Sequence, residues 1–234
     1  MAARRILTWR QKASPVPAPQ SFSTTFSATE SPISESGSWI RQCTSRTNVN
    51  TASGIAFGTQ GANSPPPFDD SYARLTGTWA QNVEAIATVF KGTTAGIQEV
   101  EFLLCVTDTA ASASMTCYEF NIAHDGSYAN LYAWLGLANN INQFDQIDGT
   151  SISGGVSNGM QFRARHMGTS LTLDIDRKLG SGWQNLITAS DTIPSTSGRY
   201  SSGNPGIGFY RDTAAGTPGA SNQFGWADYS VTEL

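Results

Sequence analysis

The stretch "CYEFNIAHDGSYANLYAWLG", residues 117–136, carries the reading of the fold. Asp125-Gly126 has the residue types of a two-residue type I′ hairpin turn, in which both positions take positive φ. Counting outward from it pairs His124 with Ser127, Ala123 with Tyr128, Asn121 with Asn130 and Glu119 with Tyr132. Strand side chains alternate between faces, so Phe120, Ile122, Ala129 and Leu131 form an apolar side. Glu119, Asn121, Tyr128, Asn130, Tyr132 and Trp134 fall on the other. The pattern predicts two antiparallel strands with a core face and an amphipathic aromatic face.

The text around this hairpin is of the same kind. "SFSTTFS" (21–27), "GSWIRQCT" (37–44), "VEAIATVF" (83–90) and "VEFLLCV" (100–106) are short β-branched or alternating runs. "TGTWAQNVEAIATVFKG" (76–92) is the one segment with helical temptation, and its β-branched and aromatic content assigns it to strand. "SPPPFDD" (64–70) is a rigid loop, because consecutive prolines do not sit in a central strand. A second hairpin, "MQFRARHMGTSLTLDIDRK" (160–178), is expected to turn at Gly168-Thr169. That register sets Arg163 opposite Asp174 and Arg165 opposite Thr172, with Phe162, Ala164, Leu171, Leu173 and Ile175 facing the core. His166 lies on the apolar side near the hairpin end and is expected to be half-buried.

Composition agrees. The chain has 234 residues, of which 39% are hydrophobic and only 14% charged, against about 25% charged in an ordinary domain. Gly, Ser, Thr and Asn fill the deficit, as many strands and tight turns require. One domain of this length is usual for an all-β sandwich. A net charge of −4 excludes duplex nucleic acid as the main partner, since phosphate neutralisation needs a basic face. No apolar run approaches the length of a membrane span. Cys43, Cys105 and Cys117 lack metal-ligand spacing. They are read as buried free thiols, with a Cys105–Cys117 cross-strand pair as the alternative.

Residues 1–20 differ from the rest. Arg4, Arg5, Trp9, Arg10 and Lys12 crowd the start, "SPVPAPQ" follows, and "MAARRILTWRQK" does not read as a secretory signal. Proline-rich text favours extended chain without internal hydrogen bonds. The expectation is an N-terminal arm, residues 1–20, that docks on a partner, followed by a body, residues 21–234.

The order of segments resembles the concanavalin A-like lectin/glucanase superfamily, particularly its laminin-G-like jelly rolls. The resemblance rests on "SFSTTFS", the strand–Gly-Thr–strand text of 160–183, "SGRYSSGNPGIGFY" (197–210) and the closing "FGWADYSVTEL" (224–234). It implies an antiparallel β-sandwich of two curved sheets, with first and last strands adjacent. It also implies one concave face where relatives bind or cut polysaccharides. Hydrolases of the superfamily carry acids near Glu-x-Asp-x-(x)-Glu. Here Glu99 and Glu101 stand two apart on a strand, about 7 Å from each other on one face. The middle residue is Glu rather than Asp, and Leu103, Leu104 and Cys105 stand where a third acid belongs. The pair is therefore read as solvated strand carboxylates, and no catalytic residue is assigned. No serine-nucleophile elbow, phosphate loop or zinc pair is present.

Asp69-Asp70, and Asp145 with Asp148, offer hard oxygen ligands that would suit calcium. Two acids fall short of the six to eight oxygens that ion takes, so no cofactor or metal is assigned. The aromatic face fits three roles: contact with glycan, a subunit interface, or packing under a segment such as "LANNINQFDQIDGT" (137–150). The glycan-contact candidates are Tyr128, Tyr132, Trp134, Asn121, Asn130 and Glu119. Basic arm, missing signal and fold together resemble bacteriophage head decoration proteins, head fibres or tail adhesins. The expectation is a non-enzymatic, homo-oligomeric virion-surface protein with a lectin-like domain. Its arm would meet other virion or assembly proteins. A polysaccharide-degrading enzyme and an exported extracellular binding module are the alternatives.

Overall fold

The computed structural model describes residues 18–60, 70–92, 95–109, 114–136, 143–168, 172–192, 200–212 and 217–234. The arm residues Arg4, Arg5, Trp9, Arg10 and Lys12 lie outside them, as do Asp69 and most of the "SPPPFDD" loop.

The described residues form two antiparallel sheets packed face to face. The first contains β1 (Ser21–Thr24), β3 (Val49–Ala52), β4 (Ile55–Gly58), β6 (Val83–Lys91), β11 (Gln161–Met167), β12 (Thr172–Leu179), β13 (Gly182–Ser190) and β15 (Phe224–Glu233). Their order is β13-β12-β11-β6-β15-β4-β3, with β1 also paired to β15. The second contains β2 (Trp39–Ile40), β5 (Ser71–Leu75), β7 (Gln98–Asp108), β8 (Met115–Ala123), β9 (Ala129–Leu135), β10 (Phe144–Thr150) and β14 (Asn204–Arg211). Its order is β10-β9-β8-β7-β14-β5-β2. First and last strands are neighbours, Phe22 standing opposite Val231. This is the jelly-roll β-sandwich expected from the sequence. The segment 76–92 contributes strand β6 from Val83 onward.

The core follows from alternation. Phe120, Ile122, Ala129 and Leu131 point inward from β8 and β9 and meet Phe162, Ala164, Leu173 and Ile175 of the opposite sheet. Phe102 lies 4.8 Å from the Trp226 ring, centroid to centroid. Each such fully buried large side chain contributes about 1.5–3 kcal/mol relative to exposure. The three cysteines are free and buried.

Both hairpins keep their predicted faces, but each turns differently from expectation. In the first, Glu119 pairs with Tyr132 and Asn121 with Asn130, as counted. The turn is not type I′, because Gly126 alone of Asp125-Gly126 has positive φ, at 77°. Gly126 N donates to Ala123 O at 3.0 Å, and Asp125 Oδ1 accepts from both N and Oγ of Ser127. Those bonds replace the His124–Ser127 rung. In the second hairpin Arg163 stands opposite Asp176 and Arg165 opposite Asp174, a register two residues longer than predicted. The longer register places each arginine against a carboxylate. Arg163 Nη2 meets Asp176 Oδ2 at 2.8 Å and Arg165 Nη2 meets Asp174 Oδ2 at 3.1 Å. A shift of two preserves side-chain parity, which is why the core face survives. Thr169 to Leu171 lie outside the described residues.

His166 is fully buried rather than half-buried. A bulge in β7 explains its surroundings. The register with β8 shifts between Leu104 and Thr107, and Cys105 takes φ 57° there. The irregularity turns Cys105 into the core, where its Sγ lies 3.3 Å from His166 Nδ1. That nitrogen also lies 2.7 Å from Gln81 O. Burial pushes the Cys105 thiol up to about 12 and the imidazole below its usual value. A thiol kept protonated is no nucleophile, so this Cys–His contact is structural.

Candidate functional site

The outer face of the second sheet positions the candidate residues. From β9, Asn130, Tyr132 and Trp134 point outward; from β8, Cys117, Glu119 and Asn121; from β7, Glu99, Glu101 and Leu103. Antiparallel pairing then stacks them in rows: Glu119 opposite both Leu103 and Tyr132, and Asn121 opposite both Glu101 and Asn130. The aromatic face and the Glu99/Glu101 pair, separate in sequence, thus form one surface.

The surface is a cleft of about 300 Å³ lined by Tyr128, Tyr132, Asn130, Phe144, Tyr210 and Ile97 at the rim, with Glu99, Glu119, Asn121, Trp134 and Asp70 beneath. Its floor is buried. Glu99 is 9% exposed, Glu101 1%, Glu119 4% and Trp134 4%. The two β7 carboxylates are therefore buried, not solvated as the sequence suggested. Gly208 of β14 pairs with Glu101 across the sheet, and a Cβ there would stand 2.0 Å from Glu101 Oε2. Any larger residue there would require the Glu101 side chain to shift.

A hydrogen-bond network holds the floor. Asn121 Nδ2 donates to Glu99 Oε2 at 3.0 Å and to Glu119 Oε1 at 3.2 Å. Tyr128 OH donates to Glu99 Oε1, and Trp134 Nε1 donates to Glu119 Oε2. Asn121 Oδ1 accepts from Asn130 N at 3.1 Å. The Arg46 guanidinium covers the Trp134 ring, 4.2 Å from its centroid, and pairs with Asp70 Oδ2 at 3.0 Å. Phe144 packs on the same tryptophan at 5.1 Å and on Tyr132 at 5.0 Å, edge to face.

Trp134, Glu119 and Asn121 consequently hold the site together from below. Tyr128, Asn130 and Tyr132 remain partly exposed and are the members of the candidate set that a ligand can touch. Part of the covering-segment expectation also holds: Phe144, from "LANNINQFDQIDGT", covers Trp134, whereas residues 137–142 lie outside the described residues. Tyr210 was not among the residues expected on this face, although strand parity with Gly206 and Gly208 places it there. Nothing in the sequence pointed to Arg46, which enters from a loop.

Electrostatics follow from burial. Desolvation pushes Glu99 up to about 7, with Asp70 adding to the rise while Tyr128 and Asn121 oppose it. Glu101 is raised well above the usual carboxylate range, first by burial and then by Glu119, Asp70 and Glu99; Arg46 partly compensates. Glu119 is raised by burial, Asp70 and Glu99, against Trp134 and Arg46. Burial also pushes the Tyr132 phenol up to about 12.

Leu103 occupies the place of the third acid in the superfamily's hydrolase motif. It packs in an apolar patch with Cys43, Tyr72, Val106, Met115, Cys117 and Trp134. The other calcium candidates do not converge. Asp145 and Asp148 lie on β10 either side of a register shift, and Asp148 Oδ1 accepts from Gly149 N at 2.7 Å.

No family model matches the sequence, and no curated protein matches it. Solved structures match in fold. Beta-agarase A, solved in complex with oligoagarose, gives a TM-score of 0.57 at 10% identity, covering 90% of this chain and 90% of that one. SCLam, a non-specific endo-beta-1,3(4)-glucanase from family GH16, gives 0.52 at 11% identity, covering 94% of each chain. The carbohydrate-binding module CBM66 from Bacillus subtilis gives 0.51 at 12% identity, covering 87% of this chain and 96% of that one. At these identities the likeness is one of architecture, shared by enzymes and binding modules alike. With its two antiparallel sheets and adjacent first and last strands, the chain has the concanavalin A-like jelly-roll fold.

Proposed function

We propose that the protein is a carbohydrate-binding module whose sugar site is the cleft over β7, β8 and β9. The observation that carries this reading is the division of the cleft into a buried floor and a partly exposed rim. Tyr128, Tyr132 and Phe144 offer ring surface for the apolar C–H faces of a sugar, and Asn130 offers an amide for its hydroxyls. Aromatic bodies with polar tips suit surfaces that are half apolar and half wet. The solved carbohydrate-binding module of the same fold supports the class.

The reading is non-enzymatic. Leu103 supplies no proton where the third acid would stand, and Glu101 is not among the residues that line the cleft. The further setting we propose is a virion surface, with residues 1–20 attaching a homo-oligomeric module to other particle proteins. Its support is the basic, proline-rich composition of that segment.

One observation favours a glycan hydrolase as the second reading. Glu99 is raised to about 7, the range of a general acid, and it lines the cleft. The test incubates the full chain with a polysaccharide panel and measures both retention and new reducing ends. Retention without new ends is expected, for wild type and Glu99→Gln alike. New ends that vanish in Glu99→Gln would establish the hydrolase. Loss of particle association on deleting residues 1–20 is the outcome expected of the virion setting; retained association would contradict it.

A further inference from the structure

The carboxylates of Asp70, Glu101 and Glu119 are all buried and bring one oxygen each within 4.8 Å of one another. Three carboxylates confined to that space repel strongly, and the low-dielectric surroundings strengthen the repulsion. Arg46 offsets part of it through its ion pair with Asp70. The neighbouring hydrogen bonds do not reach the third member. Asn121 and Trp134 donate to Glu119, while Glu101 Oε1 is buried without a hydrogen-bond partner. An orphaned carboxylate oxygen carries the desolvation cost of a lost bond unless something else occupies its lone pairs. Gly208 leaves room beside Glu101 Oε2, where an added Cβ would stand 2.0 Å away.

We propose that Asp70, Glu101 and Glu119 bind one hard divalent cation of calcium size at the floor of the cleft. The donor set is all oxygen, which suits calcium, magnesium or manganese rather than zinc or copper. Calcium fits the spacing: oxygens about 2.3–2.6 Å from that ion can stand up to about 5 Å apart, and those of the three carboxylates lie within 4.8 Å of one another. Glu101 is the member whose buried Oε1 has no other partner. Glu119 and Asp70 each line the cleft, so the ion has a route in, and water from the cleft completes its shell. The inference is independent of the sugar reading, because the ion is measured with no saccharide present.

The test is calorimetric titration of calcium chloride into the full chain after removal of metal by a chelator. One saturable site and a rise in Tm with calcium are expected. Glu101→Gln is expected to weaken binding at least tenfold, whereas Asp148→Asn on β10 leaves it unchanged. If the acids relieve their repulsion only by holding protons, the wild-type titration is flat. No saturable binding up to about 10 mM, above the weakest affinities of extracellular calcium modules, overturns the proposal. So does equal binding by Glu101→Gln. Should that variant fail to fold, terbium decides. Trp134 donates to Glu119, so indole-sensitised terbium luminescence, competed away by calcium, is expected in wild type and lost in Trp134→Phe. Undiminished luminescence in Trp134→Phe places the ion elsewhere and overturns the assignment.

Discussion

Trp134 and Tyr132 stand two residues apart on one face of one strand, yet they do different jobs. The tryptophan is enclosed by Arg46, Phe144 and the Glu119 carboxylate. Trp134→Ala should therefore cost about 3–5 kcal/mol of stability, the range for truncating a buried aromatic, in urea unfolding followed by circular dichroism. Tyr132→Ala should cost far less and act on ligand binding. A second residue-level expectation concerns His166. Its folded pKa lies below the usual value, so the unfolded chain takes up a proton first as pH falls. Stability contributed by the neutral imidazole is thus fully present above about pH 6.5, the unfolded value, and is lost below it. The buried glutamates, with raised values, act in the opposite direction, so the histidine must be isolated by difference. Unfolding free energies of wild type minus His166→Gln should fall as pH drops below about 6.5, by at most about 1.4 kcal/mol per pH unit. A difference independent of pH would contradict the assignment.

Strands and turns were legible in different degrees. The β8–β9 pairing could be counted from Asp125-Gly126 because alternation fixes parity and the turn lies between two clear apolar runs. The turn type could not, because it depends on which backbone groups Asp125 and Ser127 satisfy, a choice made locally among similar energies. The β11–β12 register was missed by two residues for a related reason: parity is visible in sequence, whereas loop length is decided by pairing with Asp174 and Asp176. That pairing can be tested. Asp176 Oδ2 accepts from both Arg163 and Arg165, and its Oδ1 from Asn185 Nδ2 at 3.0 Å. Asp176→Ala should cost about 2 kcal/mol, less than a fully buried pair because the arginines keep some solvent. Gly208→Ala tests β14 in the same assay. With Glu101 Oε2 at 2.0 Å from the added Cβ, it should destabilise by about 1–3 kcal/mol, the usual cost of overpacking.

For the molecule as a whole, the jelly roll was recognisable from the order of its segments, and the candidate site was only half recognisable. The aromatic half lies on one hairpin and shows itself through alternation. The acidic half is assembled from β7, β8 and the approach to β5, so Glu99, Glu101, Glu119 and Asp70 meet only after the sheet forms. Arg46 has no periodic pattern at all. Their convergence turns carboxylates that look solvent-facing into a buried floor, and leaves Tyr128, Asn130 and Tyr132 as the partly exposed surface above it. The measurement that tests this most directly is native gel electrophoresis through a panel of dissolved polysaccharides, comparing wild type with a Tyr128→Ala/Tyr132→Ala double variant. Wild type should be retarded by at least one polysaccharide, and the variant, folded by circular dichroism, should run as it does in a blank gel. Equal retardation of the two proteins would show that the sugar binds elsewhere, and retardation of neither by any member of the panel would contradict the carbohydrate-binding account.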